Sequence, residues 1–296
     1  MSGDLFAGYP APPADEAVTP DGRPRDDYSV LAAGLERVGI AGLTAASAAM
    51  AVEREARGVT VASWADGRQT VRPFPLDPVP RIVPAREWSA VAAGVEQRHR
   101  ALNAFLADAY RAAGRRRGDA DRAPEVVRAG VLPEWAVASS PGRHPDAVGQ
   151  AWPGQPRAAV AAVDVLRTST GEWVAAADHL RVPAGLGYAL ANRDSARAAL
   201  PALFGPAPAD PWDAVPVLRA GLAAAAPYRF VAQEPVEAST VPTLVDGVLQ
   251  PRRVDLRVFS VAGPEGTAQA LRAPLTRVSL GAGAGRGSKD TWLLGR

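Results

Sequence analysis

The 296-residue chain is 47% hydrophobic and 22% charged with a formal charge of only +2, enough apolar material for one large core or two modest ones, without the basic excess that marks a nucleic-acid binder. It has no cysteine, which removes disulfides, thiolate metal sites and a cysteine nucleophile together. The N-terminus lacks a basic start followed by an apolar run, and no stretch reads as the roughly 20 apolar residues of a bilayer span, so a cytoplasmic location without a membrane partner is expected.

Residues 1–27, rich in Pro, Gly and Asp, read as an irregular arm. Tyr28 to Val38 and Leu43 to Arg57 carry helix-forming residues, and Gly58 is placed to stop the second stretch. Val59 to Trp64 is β-prone, Asp66-Gly67 is a tight-turn signal, and Gln69 to Phe74 can return as a second strand. Arg86 to Ala113 is the clearest helix, with Trp88, Val91, Val95, Leu102, Phe105, Leu106 and Tyr110 at helical spacing on one face and Pro84 at its entrance. His99, between Arg98 and Arg100, reads as a surface or boundary residue.

Arg111 to Asp121 is polar and glycine-broken, a loop by composition. Its Arg115-Arg116-Arg117 run has no interleaved aromatics and reads as solvated rather than as a contact for nucleic acid. Pro141 to Pro156 is a second irregular connection, and His144 within it has no second ligand in view, so no zinc site is expected. Val160 to Leu166 alternates, Ser169-Thr170-Gly171 turns, and Trp173 to Ala176 completes a hairpin. Arg253 to Ala262, a Gly-Pro-Glu-Gly turn and Ala268 to Leu280 form a third strand-turn-strand unit. The glycines of Gly281 to Gly287 look like a phosphate-cradling loop but lack the strand and helix order that would support it. The pattern predicts an α/β (α+β) protein: a mainly helical region with one hairpin over residues 28–150, packed on a mostly antiparallel sheet from residues 151–296.

Five segments carry a resemblance: RPFPLDPVPRIVP, EQRHRALNAFLADAY (Glu96 to Tyr110), AAVDVLRTSTGEWVAAADHLRVPAGLGYALANR (Ala161 to Arg193), VDLRVF and GRGSKDTW. Together they are similar to the circularly permuted ATP-grasp proteins of type 2, in the carboxylate-amine ligase lineage. The similarity resumes at Tyr228 with YRFVAQEPVEASTVPTL, resembling the family's C-terminal part. Between the two parts the family has a long middle region with its own sheet, where this chain has the short, Pro- and Ala-rich stretch 205–227.

The resemblance implies ATP and magnesium as cofactors, with the metal held by an Asp on one strand and a Glu-x-Asn on the next. Residues i and i+2 of a strand share a face, so both oxygen side chains can reach one ion. The Asp is kept as Asp164, but Ala177, Asp178 and His179 stand where Glu-x-Asn is expected. Asp164 and His179 are thus the candidate metal residues, and imidazole suits magnesium poorly. Asp178 points to the opposite face of a regular strand, and only a bulge could bring it round. Arg257 and Arg277 match the family's strand arginines near the terminal phosphate and are the catalytic candidates. A Val-Asp-Leu-Arg strand end also forms exposed ion pairs without any ligand. Lys289, the chain's one lysine, lies in the GRGSKDTW loop and with Arg257 is the candidate for nucleotide contact, although it cannot replace the lysines of the family's separate small lobe.

The permutation also predicts that the strands of Arg257 and Arg277 lie beside that of Asp164, with the Asp164 and Arg257 α-carbons within about 10 Å. Three functional readings follow. The first is a truncated, catalytically impaired scaffold that binds an acidic small molecule, a peptide or a protein partner. The second is a carboxylate-amine ligase active weakly or with a full-length partner. The third, a nucleic-acid-binding module, is disfavoured by the balanced charge.

Overall fold

A computed structural model of the chain describes residues 5–65, 68–111, 123–150, 155–204, 237–279 and 286–294. The arm, residues 5–27, has no long element, yet it is tied down. Asp15 accepts from the Tyr9 hydroxyl at 2.6 Å, from the amides of Ala17 and Val18 at 2.9 Å and from Thr240 Oγ1 at 2.8 Å. Phe6, Tyr9 and Val18 are buried as a result.

Helix α1 (Ser29–Ala56) is two helical runs joined at Gly39, whose φ of 68° only glycine adopts without strain. By length and composition the stretch Asp26–Ala56 is apolar enough to cross a bilayer, contrary to the expectation above. Leu31, Leu35, Leu43, Ala46 and Met50 are nonetheless buried along its length. The hairpin β1 (Thr60–Ala65) and β2 (Arg68–Pro73) pairs antiparallel as expected, its Asp66-Gly67 turn lying outside the described residues.

Strand β3 (Leu76–Val83) leads directly into α2 (Ala85–Ala109). Two short helices follow, α3 (Glu125–Arg128) and α4 (Glu134–Ala138). The remaining elements are β4 (Val160–Arg167), β5 (Trp173–His179), α5 (Leu186–Ala199), β6 (Thr240–Val245), β7 (Val248–Ala262), β8 (Ala268–Ala270), β9 (Leu275–Ser279) and β10 (Arg286–Leu293). The GRGSKDTW segment is therefore a strand rather than the expected loop over its described part. The stretch Ala268 to Leu280 is split at Leu271–Pro274 into β8 and β9.

Eight strands form one sheet in the order β3-β10-β9-β7-β4-β5, with β6 and β8 both paired to β7. All pairings are antiparallel except β3 with β10, where a strand from the first third of the chain lies parallel to the last one. Helix α2 covers one face: Trp88, Val91 and Val95 pack on Val163, Val165, Leu256 and Val258. Each such apolar side chain contributes roughly 1.5–3 kcal/mol when fully buried. Helix α5 covers the other face, setting Leu186, Ala189 and Leu190 on Ala162, Phe259 and Leu275. This alternation places Asp164, between Val163 and Val165, on the α5 face.

His99 is a correction to the sequence reading. It is fully buried on the sheet-facing side of α2, with Nε2 2.9 Å from the Ala158 carbonyl oxygen and Nδ1 2.9 Å from Ser260 Oγ. Burial holds its pKa below the ordinary histidine value. Leu102, Phe105 and Leu106, expected on the same buried face, are only half-buried. The Arg115–Arg117 run and most of the Gly281–Gly287 loop lie outside the described residues.

Candidate functional site around Asp164

Strands β4 and β7 pair with Asp164 directly opposite Arg257, and β7 and β9 pair with Asp255 opposite Arg277. The expected adjacency of these strands is observed, and four of the sequence-derived residues meet at one point. Arg257 grips Asp164 bidentately, Nε to Oδ1 at 2.6 Å and Nη2 to Oδ2 at 2.9 Å. Arg277 Nη2 donates to the same Oδ2 at 2.7 Å, and His179 Nε2 lies 2.9 Å from it. His179 Nε2 is also 2.9 Å from Arg257 Nη2. One nitrogen cannot donate to the carboxylate and accept from the guanidinium at once, so the tautomer of His179 selects between the two bonds.

The segment after β5 completes the cluster. Gly185 caps α5 with a φ of 124°, and a Cβ there would come within 3.0 Å of Leu275 Cδ2 and 3.4 Å of Phe259 Cζ. Only glycine lets the backbone come this close. The neighbouring Ala184 carbonyl accepts from Arg257 Nη1 at 2.8 Å, so the Pro-Ala-Gly run fixes the third edge of the guanidinium. Asp255 holds Arg277 Nε at 2.6 Å. Sequence reasoning missed Asp255 as a partner for Arg277, although the i, i+2 spacing of Asp255 and Arg257 on one strand puts them on a single face. Burial raises the Asp164 pKa, but hydrogen bonds from Arg257 and His179 and the charges of Arg277 and Arg257 outweigh it. The carboxyl is held well below the usual carboxylate range.

The residues around Asp164 do not fit magnesium. Its two oxygens already receive four close N–H or ring-nitrogen contacts, three of them on Oδ2. Ala177, directly across from Asp164, offers no oxygen. A register shift does occur in the β4–β5 pairing, yet Asp178 stays on the α2 side, where Arg98 binds it bidentately at 2.6 and 2.7 Å. A hard cation that wants about six oxygens finds one carboxylate surrounded by donors.

Lys289 is not part of this cluster. It is buried in β10, where its Nζ donates to Asp77 Oδ1, to the Val79 carbonyl at 3.0 Å and to the Pro242 carbonyl at 2.8 Å. An ammonium has three donors, and all three are used, so nothing remains for a nucleotide phosphate. Next to it, Asp290 binds the buried Arg193 at 2.8 Å and Trp292 Nε1 at 2.8 Å. In this chain the Lys-Asp-Thr-Trp run ties β10 to β3, β6 and α5. Asp77, the partner of Lys289, had no signal in the sequence beyond its place in the RPFPLDPVPRIVP motif.

The chain is 38% identical over 231 residues to a protein of Frankia casuarinae named "Putative glutamate–cysteine ligase 2-2", covering 75% of this chain and 24% of that protein. It is 37% identical over 238 residues to "Putative glutamate–cysteine ligase 2-3" of Frankia alni, 79% of this chain and 25% of the relative. An uncharacterised protein of Mycobacterium leprae is 34% identical over 190 residues, 64% of this chain and 31% of the relative. The chain therefore spans only a quarter to a third of these curated relatives. Residues 80–227 and 218–279, which include Asp164, His179, Arg257 and Arg277 and amount to well over half of the chain, match the circularly permuted ATP-grasp type 2 family, and the chain belongs to that family.

Proposed function

We propose that this chain is a shortened, catalytically impaired member of its family that serves as a binding scaffold, with Arg257, Arg277 and His179 forming a receptor for an acidic small molecule or an acidic peptide side chain. The observation that carries this reading is the convergence of these cationic and imidazole nitrogens on Asp164 Oδ2 where an oxygen-lined metal site would be required. The side chains of His179, Arg257 and Arg277 keep 30%, 13% and 15% of their exposure, so an anion can reach them from solvent. Asp164 and Asp255 already neutralise the two guanidiniums, so an incoming carboxylate or phosphate must share them, which points to modest affinity. Arginine suits this exchange because its planar fork binds one oxyanion while another group holds a different edge.

The test is calorimetric titration. Inorganic phosphate should bind in the presence of EDTA, and Arg277→Ala should weaken that binding about tenfold, the loss of one charge-assisted hydrogen bond. Magnesium-ATP should bind no more tightly than about millimolar. Micromolar, magnesium-dependent binding of ATP would overturn the reading in favour of a second one. In that alternative the chain acts as a carboxylate-amine ligase together with a full-length relative, a reading favoured by the ligase names of relatives about three times its length. Both readings place the chain in the cytoplasm, where ATP is available, and neither assigns it a nucleic acid.

A further inference from the structure

A cleft of about 590 Å³ opens on the other face of the sheet, between the arm, the start of α2 and the β4–β5 turn. Arg167, three residues beyond Asp164 on β4, points to the α2 face and meets Glu87 at 3.1 Å within this cleft. The volume falls in the range of sites that hold small molecules. Most charges in its wall are spoken for. Glu16 is bound by the buried Arg81 at 2.6 and 2.8 Å, Asp27 by Arg86 at 2.7 and 3.2 Å, and Glu87 by Arg167 and by Trp173 Nε1 at 2.9 Å.

Among the described residues, three charged side chains lining the cleft have no ion-pair partner: buried Asp15, whose carboxylate is filled by hydrogen bonds from Tyr9, Ala17, Val18 and Thr240, and Arg25 and Asp26, which differ in sign. Arg25 donates only to backbone carbonyls, Nε to Asp15 at 2.8 Å and Nη2 to Pro13 at 3.2 Å, so its position is fixed while its charge is uncompensated. The carboxylate of Asp26, an exposed residue, has no side-chain partner. Arg25 is a cation already oriented by two hydrogen bonds, so a ligand carboxylate meets it without the ordering cost a free side chain would bring. An anion and a cation at adjacent positions, beside the hydroxyls of Ser169 and Thr170, match a ligand that carries both charges itself.

We infer that this cleft is a second ligand site, separate from Asp164, and that it takes a small zwitterion of the amino-acid or dipeptide class, its carboxylate on Arg25 and its ammonium on Asp26. The inference does not rest on the proposed function, because it uses other residues on the other side of the sheet.

Titration of the full chain with glycylglycine, followed by calorimetry, tests it. The dipeptide should bind saturably, and the N-acetylated and C-amidated dipeptides, each lacking one charge, should bind about tenfold more weakly. Asp26→Asn should cost a similar factor for glycylglycine while leaving the thermal midpoint unchanged, since the exposed Asp26 side chain makes no hydrogen bond or ion pair among the described residues. Ala177→Glu, across the sheet beside Asp164, should leave dipeptide binding as it is. Absence of saturable binding, equal binding of the blocked dipeptides, or an unaltered affinity in Asp26→Asn would overturn the inference. A loss of dipeptide binding in Ala177→Glu would overturn it too, by placing the ligand on the Asp164 face.

Discussion

The Lys289 and Asp164 clusters are both ion pairs set in the same sheet, and they differ in how completely the protein uses them. At Lys289 the side chains of both partners are almost wholly buried, at 0% and 2% exposure, and every N–H of the ammonium ends on a protein oxygen. Burial lowers the Lys289 pKa and raises that of Asp77, each opposed by its partner. At Asp164 the carboxylate is nearly buried, but the groups holding it reach solvent. The Lys-Asp-Thr-Trp run therefore acts as a joint between the two ends of the chain, whereas the groups around Asp164 stay partly open to solvent. The Lys289 cluster is closed and the Asp164 cluster is open, and burial is the difference between them.

The largest expected effect breaks this contrast at its buried end. Lys289→Met removes the cation and leaves the Asp77 carboxylate uncompensated inside the sheet. Breaking one half of a buried pair costs about 3–5 kcal/mol, a large share of a domain's stability. Denaturant unfolding should show the midpoint falling accordingly. Arg277→Ala, by contrast, leaves Asp164 with two bonds from Arg257 and one contact from His179 and should cost about 1–2 kcal/mol. If Lys289→Met were the milder of the two, the division between joint and receptor would be wrong.

Much of this architecture was legible in the sequence because the signals were local. The hairpins β1–β2 and β4–β5 announce themselves by alternation around glycine turns, and the break in α1 falls between the two helical stretches read from composition. Strand β3 was not read as a strand because Pro78 and Pro80 argue against one. It is tolerated at the sheet edge, where its sequence-distant neighbour β10 pairs with it on one side only. Helix α5 was hidden by Gly185 and Gly187 near its start. His99 was misjudged because its flanking arginines suggest solvent, while helical rotation carries it to the buried face in line with Val91 and Val95. At the site, the Asp164–Arg257 adjacency was legible from the permutation. The burial of Lys289 was not, since its carboxylate partner is 212 residues away.

A smaller effect separates packing from ligand chemistry by pH. The depressed pKa of buried His99 means that the unfolded chain binds a proton more readily than the folded one. Stability from this group is complete above the unfolded histidine value, near about 6.5, and declines as the pH falls below it. Asp164, also depressed, contributes stability above the ordinary carboxylate value that is lost at lower pH still. Unfolding midpoints measured between about pH 7 and pH 5 should therefore fall. His99→Gln, which keeps a hydrogen-bonding group but cannot titrate there, should flatten that slope whatever its absolute stability. An unchanged slope would assign the pH dependence to another group.

The smallest expected effect comes from rebuilding the lost metal ligands. In Ala177→Glu combined with His179→Asn, the new carboxylate lies directly across from Asp164 and the amide occupies the same strand face two residues on. Removing the imidazole frees one approach to Oδ2, and the two new oxygens give magnesium a partial shell. Arg257 and Arg277 still grip Asp164 at 2.6–2.9 Å and would have to yield for the ion to bind, so affinity should rise only to about millimolar. ATP hydrolysis in the presence of candidate carboxylates and amines should remain at the level of the unmodified chain. Phosphoryl transfer needs the nucleotide held and its charge neutralised as well as a metal, and Lys289 is committed to Asp77, Val79 and Pro242. Magnesium binding is read by calorimetry and hydrolysis by phosphate release. Hydrolysis well above that of the unmodified chain would mean that other residues position the nucleotide, and the Asp164 cluster would then be a ligase centre with a damaged metal site rather than a receptor.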